Sequence, residues 1–252
     1  MRNKIKKKII SKKEFVRLNS NSARKMFKNQ NLQKKAKEVL VEADKYRWIH
    51  QSSWMGEPIL NLPQDIIALE NIIWKTKPEN IIEVGVAWGG GLLLGASLLE
   101  LYSSGKVIGI DIFIPDDLKK RLLKKGKISK RISLIEGSST DKTTIKKLKK
   151  IINNSKKNLV ILDSHHTHDH VLKELKIYKN FVSKGNYIIV GDTIVEDVPV
   201  QKHRPRPWGP GNNPKTAMKK FLKTNKRFKI DKSIDEKLLI SCHPNGYLKA
   251  KY

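Results

Sequence analysis

After Pro63 the chain alternates short apolar runs with segments whose apolar residues recur at helical spacing, and no other feature restricts the fold as much. The runs at 80–85 (NIIEVG), 106–112 (KVIGIDI), 131–136 (RISLIE), 158–163 (NLVILD) and 187–190 read as strands. The fourth is unbroken and apolar, as a strand buried on both faces must be. Ahead of the first run, 63–76 places Ile66, Leu69 and Ile73 on one helical face. Residues 90–102 form an apolar helix, 116–125 a basic one, and 167–183 sets Val171, Leu175, Tyr178 and Val182 on one side. Ser139 or Thr140 is placed to cap a helix that runs to Asn153. Five strand–helix alternations predict a doubly wound, mostly parallel α/β sheet. A helix at 214–223 and two last strands, at 228–230 and 238–242, complete the pattern. With no full crossover helix between them, that last pair must be antiparallel. The expected sheet therefore has seven strands and a terminal antiparallel member.

Charge is the second constraint. The 252 residues hold 52 Lys+Arg against 24 Asp+Glu, a net charge of +28. Residues 1–40 alone carry 14 Lys/Arg and only two acids, Glu14 and Glu38. Before about Leu32 this stretch shows little apolar periodicity, so it reads as a poorly ordered basic arm, followed by a helix near 32–47. Residues 1–45 are thus set apart from a folded domain at 46–252. Further basic clusters at 119–130, 146–150 and 215–229 fall in predicted helices and read as solvated faces. Nucleic acid, a lipid headgroup layer and an anionic substrate all remain as partners for such a charge. No run approaches the ~18 apolar residues of a spanning helix. The lone Cys242 excludes an intramolecular disulfide framework, and the basic start lacks a secretory apolar region. The expectation is a soluble cytoplasmic chain, peripheral to a membrane at most.

The strand ends carry the chemistry, because open α/β sheets bind ligands at the carboxyl ends of their strands. The first turn reads Glu83-Val84-Gly85-Val86-Ala87-Trp88-Gly89. Gly85 and Gly89 permit a tight turn and a close backbone approach. Glu83, two residues before the first glycine, would repel a pyrophosphate and suits a ligand with an ammonium group. Strand two ends in Asp111, where a carboxylate can accept from ribose hydroxyls. Strand three is followed by Gly137, Ser138 and Ser139, placed to border an adenine ring. Asp163 and Asp192 end strands four and five, and their carboxylates can converge on one divalent cation such as Mg²⁺. Four of the seven histidines, His165, His166, His168 and His170, lie within the six residues 165–170, just after Asp163. A zinc pair from His166 and His170 is disfavoured because no H-E-x-x-H pattern is present. A general base is the better reading, with His166 first and His165 or His168 as rivals. The segment 193–213, with four prolines and two glycines, reads as a functional loop.

These segments resemble the cephalosporin hydroxylase-like family, which includes rhamnosyl O-methyltransferases. The resemblance covers roughly residues 46–250. It is carried by Trp54–Ile59 (WMGEPI) with Pro63-Gln64-Asp65, the Glu83/Gly85/Gly89 turn, Ile110-Asp111-Ile112, 135–139 (IEGSS), Leu162-Asp163-Ser164 with His166-Thr167, and Asp192-Thr193. Residues 206–214 (RPWGPGNNP) add a long match to one branch. The resemblance implies a Rossmann-like class I methyltransferase fold with S-adenosylmethionine as cofactor. It implies cofactor contacts from Glu83, Gly85, Gly89, Asp111, Gly137 and Ser138, and Mg²⁺ at Asp163 and Asp192. The chain departs from the family pattern at Gly191, where an acid often precedes the strand-five Asp; Thr193 or water is the substitute oxygen. Phe113 and Pro115 also stand where polar residues are common.

The implied reaction is O-methylation of a hydroxyl on a sugar, glycan or related small molecule. His166 would take the proton, Asp163 and Asp192 would hold a cation, and Trp208 with its loop would close over the acceptor. Trp54 and Trp88 are stacking or packing groups. Two rivals stand beside it: an RNA methyltransferase using the basic surface, and a degenerate cofactor-binding scaffold attached by its basic arm. Self-association into a homo-oligomer stays open.

Overall fold

The computed structural model describes residues 10–102 and 105–252. It opens with two helices, α1 (Lys12–Lys28) and α2 (Gln30–Asp44). Ser11 accepts from the Glu14 N–H and Asn29 from the Leu32 N–H, so each helix starts on a side-chain cap. Poor order was expected before residue 32. Residues 12–28 are instead helical, on an apolar spacing that includes Phe15, Leu18 and Met26. The part of the arm at residues 1–9 lies outside the described residues. Helix α2 buries Ala36 and Leu40, and Leu40 packs with Leu62 and Cys242 in a small core of its own.

A two-stranded hairpin, β1 (Ser53–Trp54) and β2 (Glu57–Pro58), leads into α3 (Pro63–Thr76), with Pro63 in the first turn. Buried Glu57 ties the hairpin to the next layer through Arg121 Nε at 2.9 Å and Lys125 Nζ at 3.0 Å. The alternation then runs β3 (Asn80–Val84), α4 (Gly90–Glu100), β4 (Val107–Asp111), α5 (Asp116–Leu123), β5 (Ile132–Glu136), α6 (Lys142–Ile151), β6 (Asn158–Leu162), α7 (His168–Tyr178) and β7 (Tyr187–Val190). Helix α8 (Pro214–Thr224), β8 (Phe228–Ile230), the short α9 (Lys232–Asp235) and β9 (Tyr247–Ala250) close the chain. The sheet order is β5-β4-β3-β6-β7-β9-β8. Strands β5, β4, β3, β6 and β7 are mutually parallel, and β9 is antiparallel to both β7 and β8. This is the expected seven-stranded, doubly wound sheet. Alternate strand residues feed two cores, with Ile82 and Val84 on one face and Ile81 on the other. The strand order reverses between β3 and β6, so their carboxyl ends open a crevice there.

Two local expectations are corrected. The last strand is 247–250, and 238–242 is irregular. The buried Asp65 carboxylate on α3 holds that segment, accepting from Ser241 Oγ at 2.6 Å, the Cys242 N–H at 2.8 Å and Tyr247 Oη at 2.9 Å. Backbone tied to a side chain in this way is not available to a strand ladder. At α6 the residue preceding the helix is Asp141, without a side-chain cap, and not Ser139 or Thr140. Ser139 is engaged elsewhere, as described below.

Candidate active site

The crevice at the switch point is lined by Val84, Gly85, Asp111, Ser138, Asp163 and His165, among others, and encloses about 580 Å³. Gly85 (φ +94°) takes the backbone tightly past β6. A Cβ there would lie 2.2 Å from the Asp163 carbonyl oxygen, so only glycine fits. Asp111 Oδ2 accepts from the Val86 N–H at 2.8 Å, which fixes the carboxylate across the mouth of the first turn. Its Oδ1 has only a 3.5 Å approach from the Phe113 N–H and is well placed to accept from a ligand hydroxyl. Exposed Ile112 beside it lines the crevice and gives it an apolar rim, and the next residue, Phe113, is exposed as well.

Gly89 and Gly137 shape the walls without lining them. Gly89 (φ +83°) is the residue from which α4 starts, and a Cβ on Gly137 (φ +147°) would meet Thr144 Oγ1 at 2.6 Å. Glu83 sits in a second, smaller cavity of about 40 Å³ that shares Asp163 with the first and is also bordered by Asn61, Asp65 and His243. It lies against Gly91 in the first turn of α4. Glu83 Oε2 and Asp163 Oδ1 are both buried without a hydrogen-bond partner. Burial pushes the Glu83 carboxyl up to about 8. Burial, then the neighbouring Asp192 and Glu83 carboxylates, push Asp163 well above the usual range. Burial thus favours the protonated form of both carboxyls, and a cationic group brought beside them would favour the ionised, acceptor-only form.

Asp192 follows β7 in a left-handed conformation (φ 48°). Its N–H donates to His243 Nδ1 at 3.1 Å, which leaves the His243 Nε2 proton for Asn61 Oδ1 at 2.7 Å. The Asp192 carboxylate faces His166 Nε2 at 3.8 Å and Arg206 Nη1 at 4.0 Å. Burial holds the His166 imidazole below its ordinary value against the pull of Asp192. Trp208 stands edge-on to His166 and His165, with ring centroids 5.0 and 5.6 Å away. The other histidines have different tasks. His165 is exposed and pairs with Thr167 Oγ1. His168 pairs with Thr216 at 2.8 Å across to α8. His170 lies 3.0 Å from Glu174 and does not join His166. Among the described residues no group of three or more His, Cys, Asp or Glu is placed to hold a metal ion. Thr193, expected as a substitute oxygen, is fully buried and donates to the Pro244 carbonyl at 2.9 Å. Of the tryptophans, Trp54 donates to Ser97 and packs on α4, and Trp88 is exposed.

Three features were not singled out from the sequence. Fully buried Glu174 accepts from Ser139 Oγ at 2.6 Å and Ser164 Oγ at 2.7 Å, and faces His170. His170 and Glu174 are four apart on α7, a spacing visible in the sequence. Asp44, at the end of α2, pairs with His203 and Arg204 of the long loop. Asn212 Oδ1 caps the N-terminus of α7 at the His168 N–H, and the adjacent Asn213 caps α8 in a capping box. The 193–213 loop is therefore built into the walls of the site.

Known proteins resemble this chain in sequence and in fold. Rhamnosyl O-methyltransferases of Mycobacterium tuberculosis and Mycobacterium bovis are 25% identical over 217 residues, spanning 82% of this chain and 84% of theirs. The Mycobacterium leprae protein of that name is 28% identical over 151 residues, 59% of this chain and 63% of that one. In fold, the chain is similar to an apo structure of CmcI, with a TM-score of 0.57, 19% identity and coverage of 81% and 77%. It is also similar to an O-methyltransferase from Bacillus cereus in complex with SAH, with a TM-score of 0.50, 13% identity and coverage of 80% and 82%. Residues 46–251 match the rhamnosyl O-methyltransferase/CmcI family, so the chain belongs to that family and is a methyltransferase.

Proposed function

We propose that the protein methylates a hydroxyl of a sugar or glycan, using S-adenosylmethionine bound in the β3–β4–β5–β6 crevice. The observation that carries this reading is the convergence of Gly85, Asp111, Ser138 and Asp163 on one crevice in a chain of this family. The names of the mycobacterial relatives support the sugar as acceptor. S-adenosylmethionine supplies a methyl group activated on a sulfonium. Asp111 is the acceptor for ribose hydroxyls, Ser138 borders the base, and Glu83 offers its unpartnered oxygen to an ammonium group.

His166 is the general base. It is held neutral by burial and faces Asp192, which stabilises the imidazolium formed when the proton arrives. Trp208 and Arg206 wall the acceptor side and exclude water. A magnesium ion would be held by Asp163 and Asp192, with water and acceptor oxygens as its other ligands, and would lower the pKa of the acceptor hydroxyl. The orphaned Asp163 Oδ1 supports a cation at this place.

The test is methyl transfer from labelled donor to rhamnose-bearing acceptors, with calorimetric donor binding in parallel. Asp111→Ala should abolish donor binding. His166→Ala should leave it intact and lower kcat about 10²- to 10⁴-fold. A well-folded protein that binds no donor would sink the proposal. Omitting magnesium decides the metal separately.

A further inference from the structure

Helix α1 is the one long helix of the described chain that buries none of its residues. It is fastened near its C-terminal end, by Arg24 Nε to Glu236 at 3.5 Å and by Gln33 Nε2 to the Met26 carbonyl at 3.2 Å. Its N-terminal half still carries large apolar groups. Phe15 is 54% exposed, Val16 53% and Leu18 43%. At 100° per residue, Leu18, Phe15, Met26, Ala23, Val16 and Phe27 occupy about half the circumference. Lys13, Arg17, Arg24, Lys25 and Lys28 occupy the other half; of the six cations only Lys12, in the first turn, falls in the apolar half, which also holds the uncharged Asn19 and Ser22. The helix has six Lys/Arg and a single acid, Glu14.

A solvated helix has no use for an exposed half of Phe, Val and Leu, and a core helix would not keep six cations. Both features are satisfied together at the boundary between lipid headgroups and acyl chains, where the apolar half is buried and the cations face anionic headgroups. We propose that α1 docks the protein on an anionic lipid bilayer, lying in the plane of the interface with Phe15, Val16 and Leu18 inserted. A second copy of the chain is disfavoured as the occupant, because it would bring a like charge of +28 to the same place. Nucleic acid would engage the cations and leave the apolar half in water.

The test is co-sedimentation of the full chain with phosphatidylcholine vesicles, with and without phosphatidylglycerol. Binding should require phosphatidylglycerol and weaken with salt. Phe15→Ser with Leu18→Ser, and separately Lys13→Glu with Arg17→Glu, should each weaken it about tenfold or more. Neither pair touches the buried core, so donor binding and the unfolding midpoint should stay as in the wild type. Three results would overturn the proposal. These are equal binding to uncharged vesicles, vesicle binding indifferent to Phe15 and Leu18, and a dimer or an RNA complex lost on the same substitutions while vesicle binding persists.

Discussion

Asp163 Oδ1 occupies the space into which any side chain at position 191 would grow: a Cβ on Gly191 would lie 1.9 Å from that oxygen and 2.6 Å from Asp163 Cγ. The glycine at position 191 is thus matched by where Asp163 lies. Gly191 donates its N–H to the Leu162 carbonyl at 2.8 Å, which keeps β6 and β7 in register immediately beneath. With both backbones fixed, the Asp163 carboxylate is the group that must yield. Gly191→Ala should therefore cost about 1–3 kcal/mol of stability, as overpacked sites do. It should also displace Asp163 and lower kcat at least tenfold with little change in donor affinity. Denaturant titration and steady-state kinetics of the variant check both expectations.

Glu83 gives a prediction with a definite sign. Its carboxyl ordinarily titrates at 4.5 and is raised to about 8 by burial. Between those values the folded protein retains a proton that the unfolded chain has released. This group therefore makes folding less favourable as pH rises through the window. The unfolding midpoint of the free protein should fall between about pH 5 and pH 8, and Glu83→Gln should flatten that fall. An ammonium group brought beside Glu83 favours the ionised form, so donor binding near neutral pH should release a proton. Calorimetry in two buffers of different ionisation enthalpy reads that proton, and Glu83→Gln should abolish it.

The Glu174 cluster ties the crevice rim at Ser139 to α7. One carboxylate oxygen serves Ser139, Ser164 and His170, and the Tyr178 hydroxyl donates to the Ser139 carbonyl at 3.0 Å. Glu174→Ala would strand the buried Ser139 hydroxyl, at about 1–3 kcal/mol, and remove an acceptor from the half-buried Ser164 and His170. Donor affinity should fall with it, since Ser138 and Ser139 line the crevice. Glu174→Gln keeps an acceptor oxygen and should recover most of both. Paired measurements of melting temperature and donor Kd on the two variants check this.

The sheet was legible because period and length do not depend on tertiary context: α3 begins and ends at the residues its apolar spacing marked. The strand ends were legible for the same reason, since the alternation itself fixes which residues sit at carboxyl ends. Asp111, Ser138 and Asp163 followed from that. Tertiary override erased the reading at 238–242, where one buried carboxylate, Asp65, takes the Cys242 N–H and the Ser241 hydroxyl. Charge patterning misled at Lys215, which belongs to a basic cluster yet is buried on Asp197. The loop clasps were invisible for a different reason. Asp44 and Arg204 stand 160 residues apart, and no local pattern joins them.

That clasp carries the last prediction. Buried Asp44 accepts from Arg204 Nη2 at 2.6 Å and pairs with His203 Nε2 at 2.8 Å. Arg204 Nη2 also donates to Gln201 Oε1 at 3.0 Å, so one guanidinium braces the loop to itself and to α2. Two residues on, Arg206 faces Asp192, and two further on Trp208 stands over His166. Losing Asp44 releases the stretch of loop that leads to both side chains, while none of Asp44, His203 and Arg204 lines the crevice proposed for the donor. Asp44→Ala should therefore raise the acceptor KM and lower kcat/KM about ten- to a hundredfold, as small misplacements of positioning groups do. Donor Kd should stay within about twofold of wild type, and limited proteolysis should cut between 199 and 208 sooner than in the wild type. A variant that loses donor affinity equally would show instead that Asp44 holds the whole domain, and the clasp would have no separate role in the acceptor site.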